Sequence, residues 1–461
     1  METITLKQPL TEKLSIKEKL GFSCGDTAAN LVFQTMVMFQ LAFYTDTFGI
    51  SAAAAGTLLV VARFWDAIFD PFMGVIADKT NTKWGKFRPW ILWTAVPFGV
   101  MAFATFITPD FSSSGKLIYA YVTYIIMMMI YSANNLPYAA LSGVITGDLV
   151  ERTSLSSYRF VFAMIAQLIV QGLALPMVYY FGKGDDATGY QYTMGIFGVA
   201  AAVLFFITFA TTKERIQPAP DQKATLKEHF SDLMKNKPWV VMFIFIIILF
   251  MTLAMRGSVV LYYFTYYVQD TSYFGMFNVL ATIASIIGIF FSKPLAMRYG
   301  KRDVFKFGLA LSTIFCALFI FLPPQSITFM FVSEILRQFF YGLTIPLLWA
   351  MMADVADYSE WMNNRRATGI IFAAIAFGFK AGLGFGGAIT GWILAAYGYI
   401  PNVQQTSSAL DGIRLTMSLF PAITFGICVV CLFFYKIDKK LEIQITSELA
   451  ERRSNLAPET A

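Results

Sequence analysis

Apolar runs of about 18 or more residues recur along the whole chain, and each is long enough to cross roughly 30 Å of bilayer hydrocarbon as a helix. Of the 461 residues, 57% are hydrophobic and 14% are charged, whereas soluble domains carry about 25% charged residues. These features exclude an ordinary soluble protein and predict an all-α membrane protein.

The polar breaks between the apolar runs predict twelve transmembrane helices, and the breaks at 47–51 and 269–271 are short. The predicted spans are 20–46, 52–77, 89–108, 116–144, 156–181, 190–212, 238–268, 271–292, 303–322, 327–353, 366–397 and 410–436.

Most of the 35 lysines and arginines lie in the two termini and in alternate breaks. The opposite breaks carry only Lys116, Lys183 and Arg414. Positive charge accumulates on the cytoplasmic side of a membrane protein, so we expect both termini in the cytoplasm. This distribution accounts for the net charge of +6, and no nucleic-acid partner is expected. The N-terminal segment lacks the apolar core and cleavage site of a signal peptide.

The polar, proline-interrupted interval 213–237 divides the predicted helices six to six. The Gly-Lys pair at 85–86 recurs 215 residues later, and "GDLVERTS" after the fourth span is echoed by "ADVADYSEWMNNRRATG" after the tenth. Two such halves are the major facilitator plan, with a binding site near the bilayer midplane. The predicted domains are a six-helix half at 1–212, a cytoplasmic central loop at 213–237, a second six-helix half at 238–436 and a cytoplasmic tail at 437–461.

The second predicted span contains the stretch "RFWDAIFDP". Arg63, Asp66 and Asp70 lie at i, i+3 and i+7, on one helix face. Each charge costs about 2.5–3.5 kcal/mol at the centre of a span, and Arg63 can offset only one of the two carboxylates. This face predicts either a coupling-ion site, completed by a proton or a metal cation, or a structural salt-bridge cluster on the cytoplasmic side.

Polar residues in several other spans predict a common wet cavity. Carboxylates, amides and cations are the hydrogen-bond partners that sugar hydroxyls need, so a sugar fits such a cavity. The tyrosines of "LYYFTYY" at 261–267 could stack on a sugar, but at a span end they favour an interfacial aromatic belt. The polar residues are Asp26, Asn30 and Gln34 in the first span, Ser132, Asn134 and Asn135 in the fourth, Arg159 in the fifth and Lys380 in the eleventh.

Acidic and basic residues also gather where the fourth and tenth spans end. We expect them to form salt bridges that lock the cytoplasmic gate and part when it opens. Within the tenth span, Glu334 and Arg337 are expected to form a structural bridge, and Arg256 in the seventh has no evident partner. The gate residues are Asp148, Glu151, Arg152, Asp354, Asp357, Glu360, Arg365 and Arg366.

Three long motifs make the chain resemble a known family. "ARFWDAIFDPFMGVIADKTNTKWGKFRPW", "NNLPYAALSGVIT" and "MMADVADYSEW" resemble the glycoside-pentoside-hexuronide cation symporters, the melibiose permease group of the major facilitator superfamily. The resemblance runs from about residue 17 to 436 and implies uptake of a glycoside with H⁺, Na⁺ or Li⁺ across the bacterial inner membrane.

The resemblance also implies roles for single residues. Asp66 and Asp70 match the cation-site carboxylates of the family, with Arg63 beside them, and Ser132 stands where melibiose permease has a threonine hydroxyl. The expected sugar-binding residues are Asp26, Asn30, Asn135, Arg159 and Lys380, the last also matching a lysine that ties its helix to the carboxylates.

Three departures from the family pattern bear on specificity. Phe69 stands where sodium-using members have an asparagine, and a ring offers no oxygen to a hard cation, which favours H⁺ over Na⁺. Asn135 replaces a sugar-binding aspartate and Ala139 replaces a tryptophan, so a xyloside, glucoside or glucuronide is expected rather than melibiose.

Other classes of protein fit the sequence less well. Asp66 to Asp70 reads as the D-x-x-x-D of a Mg²⁺-dependent membrane prenyltransferase, but the second aspartate-rich motif is missing. A lysophospholipid transporter of the same fold and a transport-dead sensor stay open. The single His229 excludes a histidine-based triad, and no Walker-type loop is present. We therefore expect no enzyme, no cofactor beyond the coupling ion, a lipid-embedded chain and a functional monomer.

Overall fold

The computed structural model describes residues 13–146, 148–215, 236–363 and 368–456, and these ranges are almost entirely helical. The α-helices are α1 Ile16–Ala42, α2 Ala52–Lys79, α3 Arg88–Ala104, α4 Ser113–Ile145, α5 Leu149–Gly182, α6 Asp186–Thr211, α7 Lys237–Tyr262, α8 Ser272–Tyr299, α9 Lys301–Leu318, α10 Ile327–Gly342, α11 Ile345–Asn363, α12 Thr368–Ala396, α13 Ser407–Met417, α14 Leu419–Phe434 and α15 Lys439–Leu456.

Ten helical segments of the described chain are long and apolar enough to cross a membrane. They include α10 with α11 as one segment and α13 with α14 as another. Helices α1 and α3 fall outside this set. The first carries the polar stripe predicted from the sequence, and the second has 17 residues, or about 26 Å at 1.5 Å per residue.

Two predicted spans are broken inside the bundle, each next to a proline. Pro421 has no N–H to donate to the carbonyl of Met417, and the chain leaves helical geometry at Ser418, where φ is −123° and ψ is −79°. Pro346 acts in the same way near the start of α11 and separates it from α10. These breaks correct the prediction of uninterrupted helices at 327–353 and 410–436.

The short breaks after the first and seventh predicted spans are preceded by π-helical turns. Phe43–Thr47 continues α1 and Tyr263–Val268 continues α7. The interfacial belt expected for the second stretch is wrong for Tyr262 and Tyr263, which are both 1% exposed. Both pack in the protein instead, Tyr262 against Tyr399 at 5.3 Å between ring centroids.

The contacts divide the chain into two compact units. The first unit contains Val61–Asp221 together with the N-terminal residues up to Ile50. In it, α1 packs against α5 and α6, while α3 packs against α4 and α6. Gly99 and Gly198 allow the backbones of α3 and α6 to touch, since a Cβ added at Gly99 would lie 2.5 Å from the carbonyl oxygen of Gly198.

The second unit contains Gln222–Ala461 and, from the start of α2, Ser51–Val60. Helix α7 packs against α12 and α14, and α9 packs against α10 and α14. Glycines bring α12 close to α7: a Cβ at Gly386 would lie 2.4 Å from the carbonyl oxygen of Met251. Helix α15 was not predicted, since the segment 437–461 was expected only to be a cytoplasmic tail.

Candidate functional site

Two polar clusters lie inside the first unit, and the first is built by α2 and α4. The hydroxyl of Ser132 donates a hydrogen bond to Oδ1 of Asp66 at 2.5 Å, and Nη1 of Arg63 lies 4.0 Å from Oδ2 of the same carboxylate. Asp66 is fully buried and Arg63 is 5% exposed, while Asp70, one turn further along α2, is half-buried. The structure therefore brings the predicted cation-site residues together on neighbouring helices.

The second cluster joins α1, α4 and α5. Arg159 donates two hydrogen bonds to Asp26, from Nε to Oδ2 at 2.6 Å and from Nη2 to Oδ1 at 3.2 Å. The hydroxyl of Tyr138 donates to the same Oδ2 at 2.7 Å and lies 2.8 Å from the carbonyl oxygen of Phe22. The guanidinium carbon of Arg159 lies 5.0 Å from the ring centroid of Tyr138, so charge and aromatic surface meet at one point.

A stripe of polar side chains begins at Asp26 in the second cluster and continues along α1. Asn30 donates to the backbone carbonyl of Asp26 at 2.8 Å, and Gln34 lies 3.4 Å from Oδ1 of Asn30. Of the amides in α4, Asn134 is buried and donates to Thr94 at 2.8 Å, whereas Asn135 is half-buried. Asn134 is therefore bound to the neighbouring helix, and Asn135 is the more accessible amide.

An aromatic pair packs α1 against the first cluster. The guanidinium of Arg63 lies over the ring of Phe33 on α1, 5.3 Å from its centroid. The ring of Phe33 stacks on Tyr131 at 5.5 Å, and Tyr131 directly precedes Ser132 in α4. Because Phe33 lies between Asn30 and Gln34 in sequence, one helix contacts both polar clusters.

The sequence prediction missed Tyr138 and Phe33. Each is an aromatic residue in an apolar span, and that pattern alone does not separate packing from a polar role. The structure explains the glycine that precedes Asp26. A Cβ added at Gly25 would lie 2.4 Å from Cε2 of Tyr138, so only glycine leaves room for this ring.

Further predicted residues belong to the second unit. Lys380 is half-buried on α12. Glu334 forms the expected bridge to Arg337, at 2.5 Å. Arg256, which had no evident partner in the sequence, also pairs with Glu334 and donates to the carbonyl of Met417 that Pro421 leaves free. This buried group stabilises the break between α13 and α14.

The predicted gate residues have the following partners inside each unit. Arg152 donates to the carbonyls of Thr146 at 2.8 Å and Gly143 at 2.7 Å, at the end of α4. Asp148 accepts from the backbone N–H of Glu151 at 3.2 Å, and Glu151 also pairs with Lys19 at 2.8 Å.

The remaining gate residues belong to the second unit. Asp354 on α11 pairs with Lys301 at 2.7 Å, and Asp357 and Glu360 follow it on the same helix. Arg366 and its neighbour Arg365 lie outside the described residues.

No group of three His, Cys, Asp or Glu side chains in the described ranges could hold a metal ion. The cluster around Asp66 instead offers carboxylate oxygens, a hydroxyl and a nearby guanidinium. Such a set can hold a proton on a carboxylate, or a monovalent cation with help from further oxygen ligands.

Residues 21–439 match a family described as MFS/sugar transport protein. The chain is 38% identical over 416 residues to the inner membrane symporter YicJ of Escherichia coli (strain K12), covering 90% of each chain. It is 36% identical over 441 residues to the isoprimeverose transporter of Lactiplantibacillus pentosus, covering 95% of this chain and 92% of the relative.

The fold is also similar to that of a solved transporter. A bacterial homologue of the human lysosomal transporter Spinster, in an inward-facing and unoccupied conformation, superposes with a TM-score of 0.68. The match covers 93% of this chain and 97% of that one, at 13% sequence identity. At this identity the likeness concerns the fold alone.

Proposed function

The chain belongs to the MFS/sugar transport family, and from this premise we propose that it imports a glycoside by symport with a cation, H⁺ rather than Na⁺. It is a multi-pass inner-membrane transporter and not an enzyme. The observation that carries the proposal is the pair of polar clusters, around Asp26 and Asp66, which share helices α1 and α4 within apolar spans.

The proposed membrane topology has twelve spans. Ten are the long apolar segments, and α1 and α3 supply the other two, since both pack against the long helix α6. The Lys and Arg distribution supports placing both termini in the cytoplasm. A functional monomer follows if the six-plus-six arrangement is complete within one chain.

The two-half layout is supported by a repeated packing pattern. In each unit the first span packs against the fifth and sixth, and the third packs against the fourth and sixth. The first span of each unit also ends in a π-helical turn, at Phe43–Thr47 and at Tyr263–Val268. An internal duplication accounts for both similarities.

The coupling ion is proposed to bind at Asp66 and Asp70. A charged carboxylate inside a spanning helix is costly, and a proton or a monovalent cation removes that charge. Phe69 supports H⁺, because a phenyl ring supplies no oxygen ligand where a Na⁺ site needs one. Ser132 and Arg63 are proposed to position Asp66 for this step.

The sugar is proposed to bind at Asp26 and Arg159. A carboxylate and a guanidinium held together at 2.6 Å offer several acceptors and donors to neighbouring hydroxyls, and the ring of Tyr138 offers an apolar face. Asn30, Asn135 and Lys380 are proposed as further ligands. The name of the isoprimeverose transporter supports a glycoside other than melibiose.

The transport cycle is proposed to be alternating access. Neutralisation of Asp66 and Asp70 removes a buried charge and favours sugar binding, and the sugar raises ion affinity by the same factor, because coupling between two binding sites is reciprocal. The cytoplasmic gate is proposed to consist of Asp148, Arg152, Asp354, Asp357, Glu360 and Arg366.

External pH tests the proposal. De-energised cells that produce the protein, in sodium-free and lightly buffered medium, receive a panel of xylosides, glucosides and glucuronides. Alkalinisation with one sugar, absent from cells without the protein, is the expected result, since H⁺ follows the sugar inward. If every trace stays flat while a sodium electrode records sugar-dependent Na⁺ uptake, the ion assignment is wrong. Flat traces on both electrodes overturn the choice of cargo.

A further inference from the structure

A cavity in the second unit contains none of the residues assigned to ion or sugar binding, and Lys301 in its wall pairs with the gate residue Asp354. The cavity has a volume of about 540 Å³, within the range of roughly 300–1,000 Å³ that is typical of small-ligand sites. Four elements enclose it: the last turns of α8, the first residue of α9, the start of α11 and the first turn of α15.

Most of the cavity wall is apolar. Ile289 and Met297 come from α8, Leu347 and Ala350 from α11, and Ile443 from α15. Met297 is 68% exposed and Ile443 is 60% exposed, so the apolar wall continues onto the surface. An apolar wall that opens outward near the ends of spanning helices suits a hydrocarbon chain better than a soluble polar ligand.

The charged residues of the cavity are three lysines and one glutamate. Lys301 is already shared between Asp354, at 2.7 Å, and Glu442, at 3.0 Å. The ammonium group of Lys439 donates to the carbonyl of Met297 at 2.8 Å. This contact involves no carboxylate, so it does not offset the positive charge of Lys439. Lys293 is exposed, so the rim is electropositive.

We propose that this cavity binds an anionic phospholipid of the cytoplasmic leaflet. Its phosphate lies between Lys293 and Lys439, and the adjoining part of an acyl chain lies along Met297, Leu347 and Ile443. Charge complementarity selects the anionic headgroup, and the apolar wall selects a lipid over free phosphate. The choice of leaflet rests on the proposed orientation of the chain; the site itself does not depend on the transported sugar.

The test uses the purified full-length protein in phosphatidylcholine-detergent micelles and measures Tm as phosphatidylglycerol is added. A ligand that binds only the folded state raises Tm. The double variant Lys293→Gln/Lys439→Gln is expected to lose most of this rise. The matched control Lys17→Gln/Lys440→Gln removes two exposed lysines outside the cavity and is expected to keep it.

A second variant tests the apolar wall with every charge intact. Ala350→Phe fills the cavity and is expected to abolish the phosphatidylglycerol effect with Tm in phosphatidylcholine alone unchanged; if the double lysine variant does not fold, this variant decides. The proposal is overturned if phosphatidylglycerol does not stabilise the unmodified protein, or if the cavity variants respond like the control. It is also overturned if inorganic phosphate stabilises the protein equally well.

Discussion

Two carboxylates of the first unit lie in apolar helices, and their neighbours differ. Asp26 accepts two hydrogen bonds from Arg159, with one contact at 2.6 Å, and both side chains are partly buried. Asp66 has a hydroxyl at 2.5 Å and a guanidinium nitrogen at 4.0 Å. The looser contact of Asp66 with its arginine suits a group that takes up and releases a cation.

Ser132→Ala is expected to strengthen binding of the coupling proton, because the hydroxyl donates a hydrogen bond that stabilises the unprotonated Asp66 carboxylate. A hydrogen bond to a charged group contributes about 1.5–3 kcal/mol, so the ion concentration for half-maximal uptake is expected to change by about tenfold or more. Ser132→Thr keeps the hydroxyl and serves as the control. Equal ion dependence in the alanine variant and the unmodified protein would remove Ser132 from the site.

Tyr138→Phe is expected to weaken sugar binding and leave ion coupling intact. The ring stays, but Asp26 loses the hydroxyl at 2.7 Å. At about 1–2 kcal/mol for this bond, sugar affinity is expected to fall by about tenfold in equilibrium binding.

Tyr119→Phe is the matched control for that experiment. It removes a hydroxyl of the same helix that donates to the carbonyl of Ala104 at 2.8 Å. If both variants bind the sugar with the affinity of the unmodified protein, the Tyr138 hydroxyl has no role in sugar binding.

Intramembrane polarity identified Asp26, Asp66, Ser132 and Arg159 from the sequence, because a buried charge in a span requires a partner. It did not identify Tyr138. A tyrosine in an apolar run is explained equally well by packing, and only the contact between α1 and α4 distinguishes the two roles.

At the scale of the helices, the contact between α1 and α4 depends on Gly25. Gly25→Ala places a methyl group 2.4 Å from the Tyr138 ring, and overpacking of this kind costs about 1–3 kcal/mol. Lower Tm and weaker sugar binding are expected together. Gly74→Ala is the control on α2, where nothing lies within 4 Å of the added Cβ. If Gly25→Ala binds the sugar with normal affinity, the sugar site does not depend on the close approach of α1 to α4.

Helix α15 contacts α11 through a hydrogen bond that we expect to weaken at low pH. Trp361 donates from Nε1 to Glu448 at 2.6 Å, and this hydrogen bond lowers the pKa of Glu448. Ionised Glu448 therefore stabilises the docking of α15 at pH values above its ordinary pKa of about 4.3. This stabilisation is lost as the pH falls through the lowered pKa.

Hydrogen exchange of residues 439–456, corrected for the intrinsic rate, checks this prediction. Protection is expected to fall between pH 6 and pH 3.5, and Glu448→Gln is expected to be less protected already at pH 6. Protection that is the same at both pH values would contradict the assigned role of the contact.

The sequence predicted the positions of nearly all helices, since each apolar run has a polar end. It did not predict the breaks near Pro346 and Pro421. In a span, contacts with neighbouring helices determine whether a proline bends a helix or interrupts it. Arg256 stabilises the break near Pro421, but its contact with the carbonyl of Met417 exists only in the folded structure. The helix α15 was missed because its apolar residues Ile445 and Leu449 are buried by contacts that the sequence does not show.

At the scale of the whole molecule, the central claim is that one ion site drives sugar accumulation. The family assignment supports sugar transport, and the two clusters give the coupling a physical route through α1 and α4. Phe33 of α1 lies under Arg63 and stacks on Tyr131, so α1 packs against the Asp66 cluster as well as supplying Asp26.

Asp66→Asn, in membrane vesicles with an imposed proton gradient, tests this claim most directly. The readouts are uphill accumulation of the sugar found by the pH assay, and its exchange across the membrane at equilibrium. Asp78→Asn, at the 63% exposed carboxylate near the end of α2, is the control. Asp66→Asn is expected to abolish accumulation and to retain exchange. The control is expected to accumulate the sugar and to exchange it like the unmodified protein. Accumulation by Asp66→Asn equal to that of the unmodified protein would contradict the claim.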